Sequence, residues 1–172
     1  KVVHVPCSFD RVCDYDAAHV LTLGEAAWRE APGTNGKRCN LHAGIVSVDG
    51  VTYWTTPETD KVMSFDLEDE RITPIMLLPS VVLSSSKNGG SWHLAEVHGR
   101  LAIVFNHASP AVNTTEVWVM EATTGQVRWG RWYIVQMNTP PYRPGKPSNK
   151  WFQSLTWPLF IHGEHILTWD IE

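Results

Sequence analysis

Two short units alternate along this chain, and their spacing constrains the fold more than any other feature. The first is an apolar residue, then Asp or His, then Gly, then an apolar run. It reads Val48-Asp49-Gly50-Val51-Thr52-Tyr53-Trp54. It returns as Val97-His98-Gly99-Arg100-Leu101-Ala102-Ile103-Val104-Phe105 and again as Ile161-His162-Gly163-Glu164-His165-Ile166-Leu167. Glycine supplies the positive φ of a tight hairpin turn, and the polar residue before it tolerates the same turn. The second unit is a strand, a polar turn and a return strand, in residues 20–29, 62–72 and 117–129. Glu68-Asp69-Glu70 and Thr124-Gly125 are its predicted hairpin tips.

The first unit starts at positions 48, 97 and 161, and the second at 20, 62 and 117. A mean spacing of about 52 residues lies near the ~40–50 residues of WD40 and kelch propeller blades, which carry about four strands each. The 172 residues then make about three blades, below the ~4–8 that close a propeller. The expected fold is all-β: a partial, about three-blade β-propeller-like arrangement of antiparallel sheets, with residues 1–172 as a single domain. The chain begins at Lys1 and stops inside the alternating run Thr168-Trp169-Asp170-Ile171-Glu172. This predicts an open arc, or a fragment of a longer protein whose missing blades lie downstream, with an unpaired strand edge.

Strand character varies along the repeats. Leu101 to Phe105 and Val117 to Met120 are apolar on both faces and require cover on both sides, as neighbouring blades provide. Met63, Phe65 and Leu67 alternate with Val62, Ser64 and Asp66, which predicts a more exposed outer strand. Residues 16–31 are rich in helix formers, but Gly24 interrupts them and Val20-Leu21-Thr22-Leu23 reads as strand, so a hairpin is expected. Residues 79–91, 106–114 and 138–150 read as loops, the last rich in proline.

Composition narrows the function classes. Charged residues are 19% of the chain and the net charge is −4, which gives no basic footprint for nucleic acid. No apolar run approaches the ~18 residues of a membrane span. Cys7, Cys13 and Cys39 form neither an even disulfide framework nor a C-x-x-C motif, so three buried thiols in a reducing compartment are expected. No nucleophile elbow, P-loop or dinucleotide fingerprint occurs, and no cofactor or metal is expected. His162-Gly163-Glu164-His165 falls one residue short of a zinc motif and lies on a turn. His93, Glu96 and His98 read as ordinary hairpin polar residues. Asp66 and Asp170 hold equivalent repeat positions. A carboxylate pair is glycosidase chemistry, but identical repeat positions favour a role for each in satisfying its own turn backbone.

Nine tryptophans remain to be explained. Trp28, Trp54, Trp118 and Trp129 sit on repeat strands and read as blade packing. Trp92, Trp151 and Trp157 border the long loops. Trp, Tyr and Arg dominate binding hot spots, so Trp92, Tyr142, Arg143 and Trp151 are the candidate partner-binding residues.

The repeat residues resemble a known family. Val48-Asp49-Gly50-Val51-Thr52-Tyr53-Trp54 with Lys61-Val62-Met63-Ser64-Phe65-Asp66-Leu67-Glu68-Asp69-Glu70 is similar to the signature of plant F-box associated domains. So are Leu94-Ala95-Glu96-Val97-His98-Gly99-Arg100-Leu101-Ala102-Ile103-Val104 and Glu116-Val117-Trp118-Val119-Met120 followed by Trp129. Leu21-Thr22-Leu23-Gly24 with Trp28-Arg29 extends the likeness upstream, to roughly residues 18–171. The resemblance implies a kelch-propeller-like, non-catalytic protein-binding module. It would select the target protein of a cullin-type ubiquitin ligase, in the cytoplasm or nucleus. A Skp-type adaptor would be reached through an F-box, and residues 1–17 hold no Leu-Pro-rich helical run of that kind. The alternatives are a carbohydrate-binding or glycosidase-like propeller.

Overall fold

A computed structural model describes residues 1–4, 6, 12–14, 19–30, 38–40, 43–56, 61–86, 90–108, 112–123, 126–138, 160–162 and 165–167. For residues 12–14, 38–40, 85–86, 108, 112–113, 123, 137–138, 160–162 and 165–167 it describes the backbone alone. Every strand pairing among these residues is antiparallel. Two compact units divide the chain, residues 1–78 and 79–172.

The first unit holds two sheets. Strands β1 (Val2–His4), β3 (His19–Leu21) and β4 (Arg29–Glu30) form one, in the order β1-β3-β4. The other runs β2 (Val12–Asp14), β5 (Arg38–Asn40), β7 (Val51–Thr55), β8 (Lys61–Asp66), β9 (Arg71–Leu77), with β6 (Val46–Val48) also paired to β7. Val20 from the small sheet packs with Trp54, Met63 and Phe65 from the large one, and Val3, Leu67 and Ile72 complete this core. Glu70, at the turn after β8, ties the two sheets electrostatically. It pairs with Arg29 of β4 through both guanidinium ends and with the Lys1 Nζ at 2.9 Å. These bonds, from Arg29 first and then Lys1, hold the Glu70 carboxyl down at about 2.

Turn chemistry follows the repeat. Asp49 and Gly50 both have positive φ, 48° and 81°, as do His98 and Gly99 at 50° and 71°. Two consecutive left-handed residues make the type I′ turn that matches strand twist. The Gly163-Glu164 copy lies outside the described residues, between β14 (Phe160–His162) and β15 (His165–Leu167), which pair with each other. Residues 20–29 form the expected hairpin rather than a helix, but residues 22–28 all lie in its connection. Trp28 in that connection is 48% exposed, edge-on to His4, so it does not pack a blade.

Three further expectations are corrected. Strand β8 is central, not outer. Val62, Met63, Ser64 and Phe65 are all buried, because β7 and β9 flank it and both faces are covered. Ser64 survives there by bonding the Thr73 hydroxyl at 2.9 Å across to β9. The predicted loop at 79–91 contains a short helix, α1 (Ser80–Ser86). The Pro79 carbonyl accepts from Val82 and Leu83, and Val82 is fully buried, so one apolar anchor outweighs the serine-rich composition. The loop at 106–114 shrinks because β11 (Arg100–Ala108) and β12 (Val112–Thr123) extend into it, with Asn106 opposite Thr115. The Thr115 hydroxyl donates to the Asn106 Oδ1 at 2.7 Å, so two polar residues pair within the sheet.

The second unit is built on one four-stranded meander, β10 (Ser91–Val97), β11, β12 and β13 (Gln126–Asn138). As expected, Leu101 to Phe105 are buried throughout, and Val117 and Val119 are fully buried. Val97, Ala102, Val104, Val117 and Val119 make the core of one face, with Ala95 and Tyr133 packed against it. The opposite face carries Leu94, Ile103 and Phe105, also buried. In the first unit, Cys13 stands opposite Cys39 in the β2–β5 register, and Cys7 lies outside the described residues. No helix among the described residues is long and apolar enough to cross a membrane.

Candidate recognition surface

The outermost described strand of the meander is where aromatic and charged side chains reach solvent. Val127, Trp132 and Ile134 of β13 are 42%, 37% and 49% exposed, whereas Leu101 to Asn106 of the inner strand β11 are buried. A bulge interrupts the β12–β13 register: Val117 faces Tyr133 and Trp118 faces Arg131, which leaves Trp132 without an opposite residue. A bulge re-aims the side chain it carries. Here it delivers the Trp132 ring to the face that bears Glu121, Arg128 and Tyr133.

Around Trp132 the contacts are specific. Its indole Nε1 donates to Glu121 Oε1 at 2.9 Å, and Arg128 Nε donates to Glu121 Oε2 at 3.0 Å. These two bonds, the indole's first, hold the Glu121 carboxyl below its ordinary range. Arg100, the first residue of β11, lies with its guanidinium carbon 5.4 Å from the Trp132 ring centre. His98, from the type I′ turn, stands 6.4 Å from the same ring and bonds the Tyr133 hydroxyl through Nε2 at 3.3 Å. Gly130 makes this arrangement possible. A Cβ at that position would stand 2.3 Å from Glu121 Oε1, so only glycine lets the carboxylate lie across the strand to reach the indole.

The other face of the same sheet holds a second, less exposed group. Glu116 is 9% exposed. Its carboxylate accepts from Trp118 Nε1 at 2.9 Å and lies 3.5 Å from Arg131 Nη1 and 4.0 Å from His107 Nε2. Arg131 sits over the Trp118 ring at 5.7 Å. This is a satisfied, buried carboxylate whose partners fix the strand surface.

Of the residues expected to bind a partner, Trp92 lies on β10 opposite Phe105 and is half-buried. Tyr142, Arg143 and Trp151 lie outside the described residues, as does Trp157. Trp54 is fully buried, as blade packing requires, and Trp118 and Trp129 are half-buried. Asp66 performs the turn role expected of it: its Oδ1 accepts from the backbone N–H of Glu68 at 2.7 Å and of Asp69 at 3.1 Å. Asp170 lies outside the described residues. The His93, Glu96 and His98 group does not converge. Burial lowers the His93 pKa, Glu96 Oε1 accepts from the Gly99 N–H at 2.6 Å, and His98 turns to Tyr133. Among the described residues no cluster of three His, Cys, Asp or Glu side chains is placed to hold a metal.

The Trp132 corner falls outside the sequence expectations, which concern tryptophans at repeat positions and loop borders. The available signal was Trp129-Gly130-Arg131-Trp132-Tyr133, a glycine inside a strand pattern, which marks a bulge or a close approach.

Comparison with known proteins places this architecture. Residues 1–148 match the family model described as the F-box associated beta propeller domain. A predicted F-box protein of Arabidopsis thaliana is 29% identical over 136 residues, which covers 68% of this chain and 35% of that protein. The chain therefore spans about a third of the length of that relative. No solved structure matches. With twin I′ turns at the repeat positions, antiparallel sheets in both units and a match over most of its length, the chain belongs to the F-box associated beta propeller domain family.

Proposed function

We propose that this chain is a non-catalytic target-recognition module, acting as the substrate-selecting part of an F-box protein in a cullin-type ubiquitin ligase. The observation that carries this reading is the family match over residues 1–148. It supplies the context in which rigid sheets displaying aromatic and arginine side chains make sense as a binding surface. In this role the domain contributes affinity and geometry. A Skp-type adaptor joins it to the ligase through an F-box elsewhere in the protein, and the chemistry of ubiquitin transfer happens on other subunits. The working compartment is then the cytoplasm or nucleus. Trp92, Tyr142, Arg143 and Trp151 are the proposed target contacts.

The test is affinity purification of the full-length protein from plant cells under ligase-stabilising conditions, with the four contacts intact or all changed to alanine. The expected result is recovery of a Skp-type adaptor with both forms and loss of one or more co-purifying proteins with the quadruple variant. Failure to recover the adaptor would end the ligase reading. Undiminished capture of every partner by the quadruple variant would end the site assignment.

A further inference from the structure

We infer that the Arg100–Trp132 corner binds carboxylate side chains of an acidic peptide segment. This deepens the target-recognition reading and rests on it, at a surface separate from the four contacts proposed above.

The inference starts from which groups in the corner are already occupied. Glu121, the carboxylate against Trp132, accepts from both the Trp132 indole and Arg128. The indole N–H is therefore spent, and the ring it holds in place is still 37% exposed. The Arg100 guanidinium is exposed and lies over that ring within electrostatic reach of Glu121, yet it donates no hydrogen bond to another described residue. A guanidinium stacked on an aromatic ring keeps its in-plane N–H donors directed outward. The stacking also fixes its position before any ligand arrives, which lowers the ordering cost of binding. A planar fork of donors matches a carboxylate in two-point geometry.

Charge sets the ligand class. In the corner Arg100 and Arg128 stand against Glu121, leaving one positive charge in excess on a chain whose net charge is −4. Two guanidinium forks on separate arginines suit two singly charged carboxylates along a chain better than one doubly charged phosphate. Arg128 is 69% exposed and keeps N–H donors beyond the one given to Glu121, so it can receive a second carboxylate. A short acidic run therefore fits better than an isolated acidic residue. The partly exposed Trp132 ring gives an apolar residue within that run a platform beside the charged contact.

The experiment uses the whole 172-residue chain, labelled with 15N, and three short capped peptides: Glu-Glu-Leu-Glu-Glu, its all-Gln counterpart, and a counterpart with phosphoserine replacing each Glu. The glutamate peptide is expected to shift the Trp132 indole N–H and the Arg100 side-chain N–H resonances saturably, and to lose affinity in high salt. The Gln peptide is expected to leave both unmoved. R100Q and R100K should each weaken binding by about tenfold, since lysine keeps the charge but loses the fork. Both should leave the backbone spectrum and denaturant midpoint unchanged. Equal binding of the Gln peptide, full affinity of R100Q, or binding of the phosphoserine peptide alone would each overturn the inference. Peptide binding does not depend on an F-box or adaptor. Loss of target capture with the glutamate shifts intact would thus remove the recognition role and leave the site standing. Intact target capture without peptide shifts would remove the site alone.

Discussion

Replacing Gly130 by alanine separates a built recognition corner from a fortuitous one, because its local and global effects have opposite signs. The backbone can accept the change: Gly130 is not among the positive-φ glycines, and it sits inside strand β13. Removing a strand glycine in favour of alanine stabilises by about 0.5–1 kcal/mol. The added Cβ would lie 2.3 Å from Glu121 Oε1, against the 3.4 Å at which ordinary contact begins, so the carboxylate must retreat by about 1 Å. A retreat of that size is enough to lengthen or misalign the 2.9 Å bond to the Trp132 indole nitrogen. The Glu121 carboxylate is the free end of a flexible, solvent-screened side chain, so moving it costs the fold little. The expected outcome is a protein as stable as the parent, or up to about 1 kcal/mol more stable, whose Trp132 indole proton moves and exchanges faster. Urea unfolding gives the first quantity and 15N–1H spectra of the indole region the second. An unmoved indole resonance would refute the claim that Glu121 orients Trp132. A loss of more than about 1 kcal/mol would show that Gly130 serves the backbone and not the carboxylate.

Two further outcomes follow from the turns. Gly50→Ala should cost about 1–2 kcal/mol by urea unfolding, because Gly50 holds a φ of 81° with nothing within 4 Å of a new Cβ. Gly50→Asn should cost less, since asparagine tolerates the left-handed region. Glu70 sets an acid limb. Its folded-state pKa, about 2, lies below the ordinary value of 4.5. Its contribution is therefore complete above pH 4.5 and is lost as the pH falls toward 2. Urea midpoints measured between neutral pH and pH 2 should fall less steeply for Glu70→Gln than for the parent, and equal slopes would show that the Arg29 and Lys1 pairing contributes nothing.

What could be read from the sequence was whatever depends on nearest neighbours along the chain. A left-handed turn needs glycine and a tolerant polar residue beside it, so Val48-Asp49-Gly50 and Val97-His98-Gly99 disclosed their hairpins without any knowledge of tertiary contacts. Asp66 was legible for the same reason, since its acceptors' donors are two and three residues away. Burial of β8 was not, because alternation of Met63, Phe65 and Leu67 with Val62, Ser64 and Asp66 looks the same whether a strand is outermost or flanked on both sides. Trp132 failed at the same boundary. Its placement depends on a one-residue slip between β12 and β13 and on a carboxylate crossing a missing Cβ. Both are relations between strands, and neither has a fixed spacing in the repeat. A repeat-based reading finds the residues each blade must share to fold. The corner proposed to bind an acidic segment is built from residues the repeats do not share, and it lies where the repeat is broken, at the bulge that turns Trp132 toward Arg100.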